Sequence, residues 1–248
     1  MKINASYKTD IGYYRKNNQD AVLYLENKQG QVLGAICDGL GGHDGGEIAS
    51  NMAINMLKFF FETTDFTMLK HDKQIHTWLQ TNINAIHNHM HDYSLINPQI
   101  MDMGTTMVIT LVANNKIYFV NIGDSRIYQF NQQGLIQLTK DHNLLNLYLQ
   151  KKTANETEIE LNHTYWKVLT SALGPCKPLK TDIFHLPLLA PAFFLLTSDG
   201  VHDFLEEYEI INILSKSYSV STKVKSLIKQ ALDNVSTDNV TALLLEIS

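Results

Sequence analysis

Four aspartates in this sequence stand where chemistry could be done. They are Asp38, Asp124, Asp199 and Asp238, and each lies at the end of an apolar run or in a turn beside one. The run 31–37 leads into Asp38-Gly39, 120–122 into Gly123-Asp124, and 193–197 into Ser198-Asp199-Gly200 with Asp203 four residues on. Asp238-Asn239 precedes the last apolar run. A single Asp-Gly is a turn signal. Four carboxylates at strand ends that converge would repel one another and raise each other's pKa, and cations relieve that. Their donors are oxygens, and no Cys or His stands at these turns, which selects hard octahedral ions, Mg²⁺ or Mn²⁺, over zinc. Two such ions roughly 3.5–4 Å apart can acidify a water for attack on a phosphoester. Arg15, in the polar loop 12–20 that ends in Gln19-Asp20, has the fork geometry to hold an oxyanion.

The elements that would position these residues follow from patterning. Strands are expected over 3–8, 21–26 and 31–37, then helices over 48–61 and 75–90 with apolar residues at helical spacing. Strands follow over 105–113, 116–122, 126–130 and 135–138, with Asn114-Asn115 and 131–134 as hairpin turns. A short helix over 143–151 leads into a polar excursion, 152–166, read as a mobile segment near the site. A buried strand ending at Thr197, helices over 206–215 and 222–232, and a strand over 240–247 close the chain. After Asp38, five glycines fall in the eight residues 39–46, which allows a tight turn and close backbone approach. The alternation of strand and helix groups predicts an α+β sandwich with helices covering sheet faces.

Bulk properties narrow the function. The 248 residues, 44% hydrophobic, can bury a sizeable core as one domain. With 20 basic and 25 acidic residues and no basic block, nucleic acid is excluded as a partner. Cys37 and Cys176 form no zinc spacing, and Cys37 within a buried strand argues for a reducing compartment. The start is not a signal peptide and no apolar run reaches membrane-spanning length. His71, His76, His87, His89 and His91 read as a solvated helix face rather than a metal box; only His87 and His91 have the i, i+4 relation.

Taken in order, the motifs resemble those of the metal-dependent protein phosphatases, the protein phosphatase 2C family, in its compact bacterial form. The resemblance rests on Gly12-x-x-Arg15-x-x-Asn18-Gln19-Asp20, on Asp38-Gly39-Leu40-Gly41-Gly42-His43 with Gly46-Glu47-x-Ala49-Ser50, and on Gly104-Thr105-Thr106. It continues with Gly123-Asp124-Ser125-Arg126-x-Tyr128, Leu138 to His142, Leu169 to Gly174, Ser198-Asp199-Gly200 and Asp238-Asn239-Val240-Thr241. It implies a four-layer α-β-β-α sandwich, two antiparallel sheets flanked by helices with a dinuclear metal cleft at one end, spanning 1–248 as one catalytic domain with a flap at about 143–167. It implies that Asp38 bridges two Mn²⁺ or Mg²⁺ ions, that Asp199 and Asp238 complete one, and that the Gly39 carbonyl binds the other. Asp20 would support bound water, and Asp124 and Asp203, with Asp199, would hold a weaker third ion. Arg15 would grip the phosphate and His43 would protonate the departing alkoxide, a role histidine suits near neutral pH.

The implied activity is hydrolysis of phosphoserine and phosphothreonine in proteins, without a covalent phosphoenzyme. The implied setting is a cytoplasmic monomer opposing a serine/threonine kinase. Gln19 stands where the family has Glu, keeping an oxygen but losing a charge. His163-Thr164-Tyr165-Trp166-Lys167 stand where the family reads His-Pro-x-Arg-Asn, so Trp166 and Lys167 mark a divergent substrate-facing flap. Two rival readings use the same residues: a scaffold domain that has lost catalysis, and a metallohydrolase of small phosphoesters or phosphotyrosine.

Overall fold

The computed structural model describes residues 2–41, 44–151 and 163–248. Two antiparallel sheets form the middle of the molecule. One has the order β1 (Ile3–Asp10), β11 (Val240–Ile247), β10 (Ala192–Thr197), β7 (Arg126–Asn131) and β8 (Gly134–Gln137). The other has β2 (Asp20–Glu26), β3 (Val32–Leu40), β5 (Met107–Ala113), β6 (Lys116–Ile122) and β9 (Asp182–Pro187), with β4 (Gly104–Thr105) paired to the end of β3. Helices α1 (Gly45–Thr63) and α2 (Asp72–Ile96) cover the second sheet. Helices α5 (Asp199–His202), α6 (Glu207–Ser215) and α7 (Val220–Asp233) cover the first. Two short helices, α3 (Leu144–Lys151) and α4 (His163–Trp166), flank residues 152–162, so most of the expected excursion lies outside the described residues.

Alternation along the strands builds the layers, because successive strand residues point to opposite faces. In β3, Leu33, Ala35 and Cys37 face α1 and α2, while Val32 and Ile36 face the other sheet. In β11, Ala242 and Leu244 face α7, while Leu243, Leu245 and Ile247 meet the opposite sheet. Both sheets are therefore buried on both faces, which is why their central strands read as nearly continuous apolar runs. The four expected layers are present.

The structure adds elements that the patterning leaves out. Strand β9 is half-buried along its length and lies at a sheet edge, so it lacks a clean apolar alternation. The expected strand over 105–113 is broken at Thr106, whose side chain serves Asp38 instead of continuing the ladder. The α2 histidines are not one solvated face. His76 is half-buried and its Nε2 lies 3.1 Å from His185 Nδ1 on β9, and His87 Nδ1 accepts from Gly174 N at 3.2 Å. Among the described residues, no helix is long and apolar enough to cross a membrane.

Candidate active site

The strand ends of both sheets meet at one edge of the sandwich. Asp38 sits near the end of β3 and pairs in register with Asp20 at the start of β2, so two carboxylates face each other across one ladder. Thr106 fixes the β3 end: its Oγ1 accepts from Asp38 N at 3.0 Å, its N donates to Asp38 O at 2.9 Å, and Thr105 Oγ1 donates to the same carbonyl at 2.8 Å. Gly39 then passes against the first turn of α1. A Cβ on Gly39 would lie 2.2 Å from Gly46 O, and one on Gly46 would lie 2.8 Å from Gly39 C. The two glycines permit a backbone approach that no side chain allows, which explains part of the glycine-rich run.

From the other sheet come Asp199 and Asp238. Asp199 opens α5 directly after β10, and Asp238 lies in the turn before β11. A Cβ on Gly200 would lie 2.0 Å from Asn239 O, so the Asp199 and Asp238 turns are pressed together. Asn239 ties the polar loop to this turn. Its Nδ2 donates to Ile11 O at 2.9 Å and Asn17 O at 3.0 Å, and its Oδ1 accepts from Gln19 N at 2.8 Å. The loop is exposed yet clamped at both ends. That brings Arg15 Nη2 to 2.5 Å from Asp238 Oδ2, while Asp238 Oδ1 accepts from Asn239 N at 2.7 Å.

Asp124 follows Gly123 in the turn between β6 and β7. Behind it, Arg126 holds Asp141 by a fork of hydrogen bonds, Nε to Oδ1 at 3.0 Å and Nη2 to Oδ2 at 2.8 Å. Asp203 follows α5, and Lys167, just after α4, brings its Nζ to 2.5 Å from Asp203 Oδ2. These groups surround a cleft of about 570 Å³ lined by Arg15, Asp38, Gly39, Asp124, Asp199 and Asp238, with Gln19 and Lys167 also on its wall. Trp166 faces away, into a neighbouring cavity, and packs on Tyr148 with ring centroids 5.1 Å apart. His43 lies outside the described residues.

The electrostatics of the cleft are those of anions forced together. Burial and then Asp199, Asp20, Asp124 and Asp238 push the Asp38 carboxyl well above the usual range. Burial and then Asp124, Asp238 and Asp203 do the same to Asp199. Burial first, then Asp141 and Asp203, raise Asp124 to about 7. Burial raises Asp20 to about 6, although Ser198 Oγ donates to its Oδ2 at 2.7 Å. Asp199 Oδ1 is buried and has no hydrogen-bond partner. An orphaned carboxylate oxygen beside three other raised carboxyls is a donor set for a hard cation. Among the described residues, no three His, Cys, Asp or Glu side chains already close around a single point. The donor set fits.

The patterning identified the carboxylates but missed their supports. Asn239, Thr106 and Ser198 position the cleft, and Cys176 and Lys177 line it. Polar residues at strand ends carry no periodic signal; Asn239, Thr106 and Ser198 stand within the motifs, but nothing in the sequence says what each one holds.

The family model for protein phosphatase 2C matches residues 14–242. The chain is 34% identical over 244 residues to the serine/threonine phosphatase stp of Listeria monocytogenes serotype 4b, covering 98% of this chain and 96% of that one. It is 28% identical over 243 residues to the protein phosphatase PhpP of Streptococcus pneumoniae serotype 2, covering 98% and 97%. Among solved structures, it superposes with a TM-score of 0.88 on the serine/threonine phosphatase Stp1 from Staphylococcus aureus, at 34% identity, covering 100% of this chain and 96% of that one. It also superposes on the catalytic domain of the serine threonine protein phosphatase PstP in complex with two manganese ions, with a TM-score of 0.81 and 26% identity, covering 98% and 97%.

Proposed function

The chain belongs to the protein phosphatase 2C family and is a metal-dependent serine/threonine phosphatase, and from that premise we propose how its own residues do the work. The observation that carries the reading is the orphaned Asp199 Oδ1 in a cleft where burial and neighbouring aspartates raise the carboxyls of Asp38, Asp124 and Asp199. Asp38, Asp199, Asp238 and the Gly39 carbonyl are the ligands of two Mn²⁺ or Mg²⁺ ions. Asp124 and Asp203, with Asp199, hold a weaker third ion. When bound, the ions supply an acidified water and shield the phosphate's charge.

The protein's own groups do the rest. Arg15 turns its fork from Asp238 to the phosphate of a phosphoserine or phosphothreonine side chain and orients it for direct attack on phosphorus, with no covalent phosphoenzyme. The rigid hold of Asn239 on the Arg15 loop supports this role, because a clamped loop loses little freedom on binding. Asp20, held by the Ser198 hydroxyl directly across the ladder from Asp38, supports bound water, and Gln19 orients water with it. His43 gives its proton to the departing serine or threonine oxygen. Lys167 lines the cleft and Trp166 the cavity beside it, so Trp166 and Lys167 shape the flap side against which the protein substrate lies.

The residues 1–248 act as one catalytic domain, a monomer in the cytoplasm, and its phosphoprotein substrates are those of a partner serine/threonine kinase. The test is hydrolysis of phosphoserine, phosphothreonine and phosphotyrosine peptides with Mn²⁺, with Mg²⁺ and with EDTA. Turnover of the first two that is lost in EDTA is the expected result. Preference for phosphotyrosine, or turnover unaffected by EDTA, would overturn the reading.

A further inference from the structure

The flap end of the cleft is closed by a lysine with an unusual station. Lys167 lines both the catalytic cleft and a second cavity of about 960 Å³ beyond it, so its side chain forms part of the wall between them. Its backbone is anchored. Val168 N donates to Tyr165 O at 3.2 Å, Leu144 N donates to Val168 O at 3.0 Å, and Asn143 and Leu169 form an isolated antiparallel bridge. The base of the flap is thus fixed to the start of α3, and among the described residues the lysine side chain, 48% exposed, reaches across from it to Asp203 Oδ2 at 2.5 Å.

Asp203 belongs to the anionic group, since its charge helps raise both Asp124 and Asp199. The Lys167 ammonium therefore already supplies a positive charge to this edge of the cluster. An ammonium makes few geometric demands, whereas a divalent ion needs the carboxylate oxygen itself as a ligand. Whichever Asp203 oxygen an ion takes, an ammonium held on Oδ2 repels it and shares the carboxylate's charge.

We propose that Lys167 is a positioning residue that competes with a divalent cation for Asp203, so that Asp203 either ties down the base of the flap or helps bind the third ion. This rests on the assignment of Asp124 and Asp203 to that ion. The lysine sets the affinity of the weak site and makes its filling and the tether of the flap base alternatives.

The experiment titrates the full chain with Mn²⁺, reading free and bound ion by electron paramagnetic resonance, for wild type, Lys167→Met, Lys167→Arg and Asp203→Asn. Tight Mn²⁺ is unchanged in all four. In Lys167→Met the weak site binds about three- to five-fold more tightly, the gain expected from removing one partly exposed ion pair. Lys167→Arg stays near wild type, and Asp203→Asn loses the weak site. Equal weak-site affinity in wild type and Lys167→Met, with the site still lost in Asp203→Asn, would overturn the competition and leave the site assignment standing. Absence of any weak Mn²⁺ in both wild type and Lys167→Met would overturn both.

Discussion

Two aspartates at different ends of the second sheet live in opposite worlds. Asp72, at the start of α2, is surrounded by donors. Lys116 Nζ stands 2.5 Å from its Oδ2, Tyr118 OH donates to its Oδ1 at 2.7 Å, and His185 Nε2 lies 3.4 Å from Oδ2. Hydrogen bonds from Lys116 and then Tyr118 hold its carboxyl down at about 2. Asp38, in the cleft, has burial and four other aspartates for company, and its carboxyl is pushed well up. The chain satisfies Asp72 with its own side chains. It gathers Asp38, Asp124 and Asp199 without satisfying them, and the missing charge must come from outside. A carboxylate paid for by its neighbours is architecture; one left short of positive charge is a binding site.

The largest test of this contrast is catalytic. Asp38→Asn should lower phosphopeptide turnover by at least about 100-fold, by analogy with the cost of disturbing a metal's surroundings, whereas Asp72→Asn should leave turnover within about twofold. Equal losses would erase the distinction. Next, Mn²⁺ at 100 times its dissociation constant should raise the wild-type Tm by about 5–10 °C, from binding to the folded state alone. The rise should shrink in Asp199→Asn and persist in Asp72→Asn, as read by differential scanning calorimetry.

The pH dependence of the metal-free protein sharpens the comparison further. Asp20 and Asp124 have folded pKa values of about 6 and about 7, above the ordinary 3.8, so the folded state holds protons that the unfolded chain releases. Their contribution is present below about pH 4 and is lost as pH rises through 6 and 7, so Tm in EDTA should fall across that window. Asp72 is the reverse case: its contribution is present above 3.8 and is lost as pH falls toward 2. Saturating Mn²⁺ should abolish the fall between pH 4 and 7. A Tm in EDTA that rises over that range would contradict the picture. The smallest effect belongs to Lys116→Met, which should lower Tm slightly at pH 7 and leave the Mn²⁺ dependence untouched.

Much of this organisation was legible in the residues, for physical reasons that differ by place. The central strands read clearly because both faces are buried, and Asp38, Asp124 and Asp199 read clearly because each interrupts an apolar run at its end. The glycines at 39 and 46 signalled close approach, but not that Gly39 meets Gly46, and nothing signalled that Gly200 meets Asn239, contacts made between distant segments. Strand β9 escaped because edge placement leaves it half-buried with a mixed pattern. The pairing of His76 with His185 escaped because helix periodicity says nothing of which strand lies beneath.

Thermal unfolding of Asp199→Asn beside wild type, in EDTA at pH 7.5, tests the central claim most directly. If the cleft is a gathering of carboxylates that only cations relieve, removing one charge should raise Tm in EDTA, and the variant should gain less than wild type when Mn²⁺ is added. A lower Tm for Asp199→Asn in EDTA, with the Mn²⁺ gain intact, would mean that the carboxylates are held by the fold itself, and the account of the cleft would be wrong.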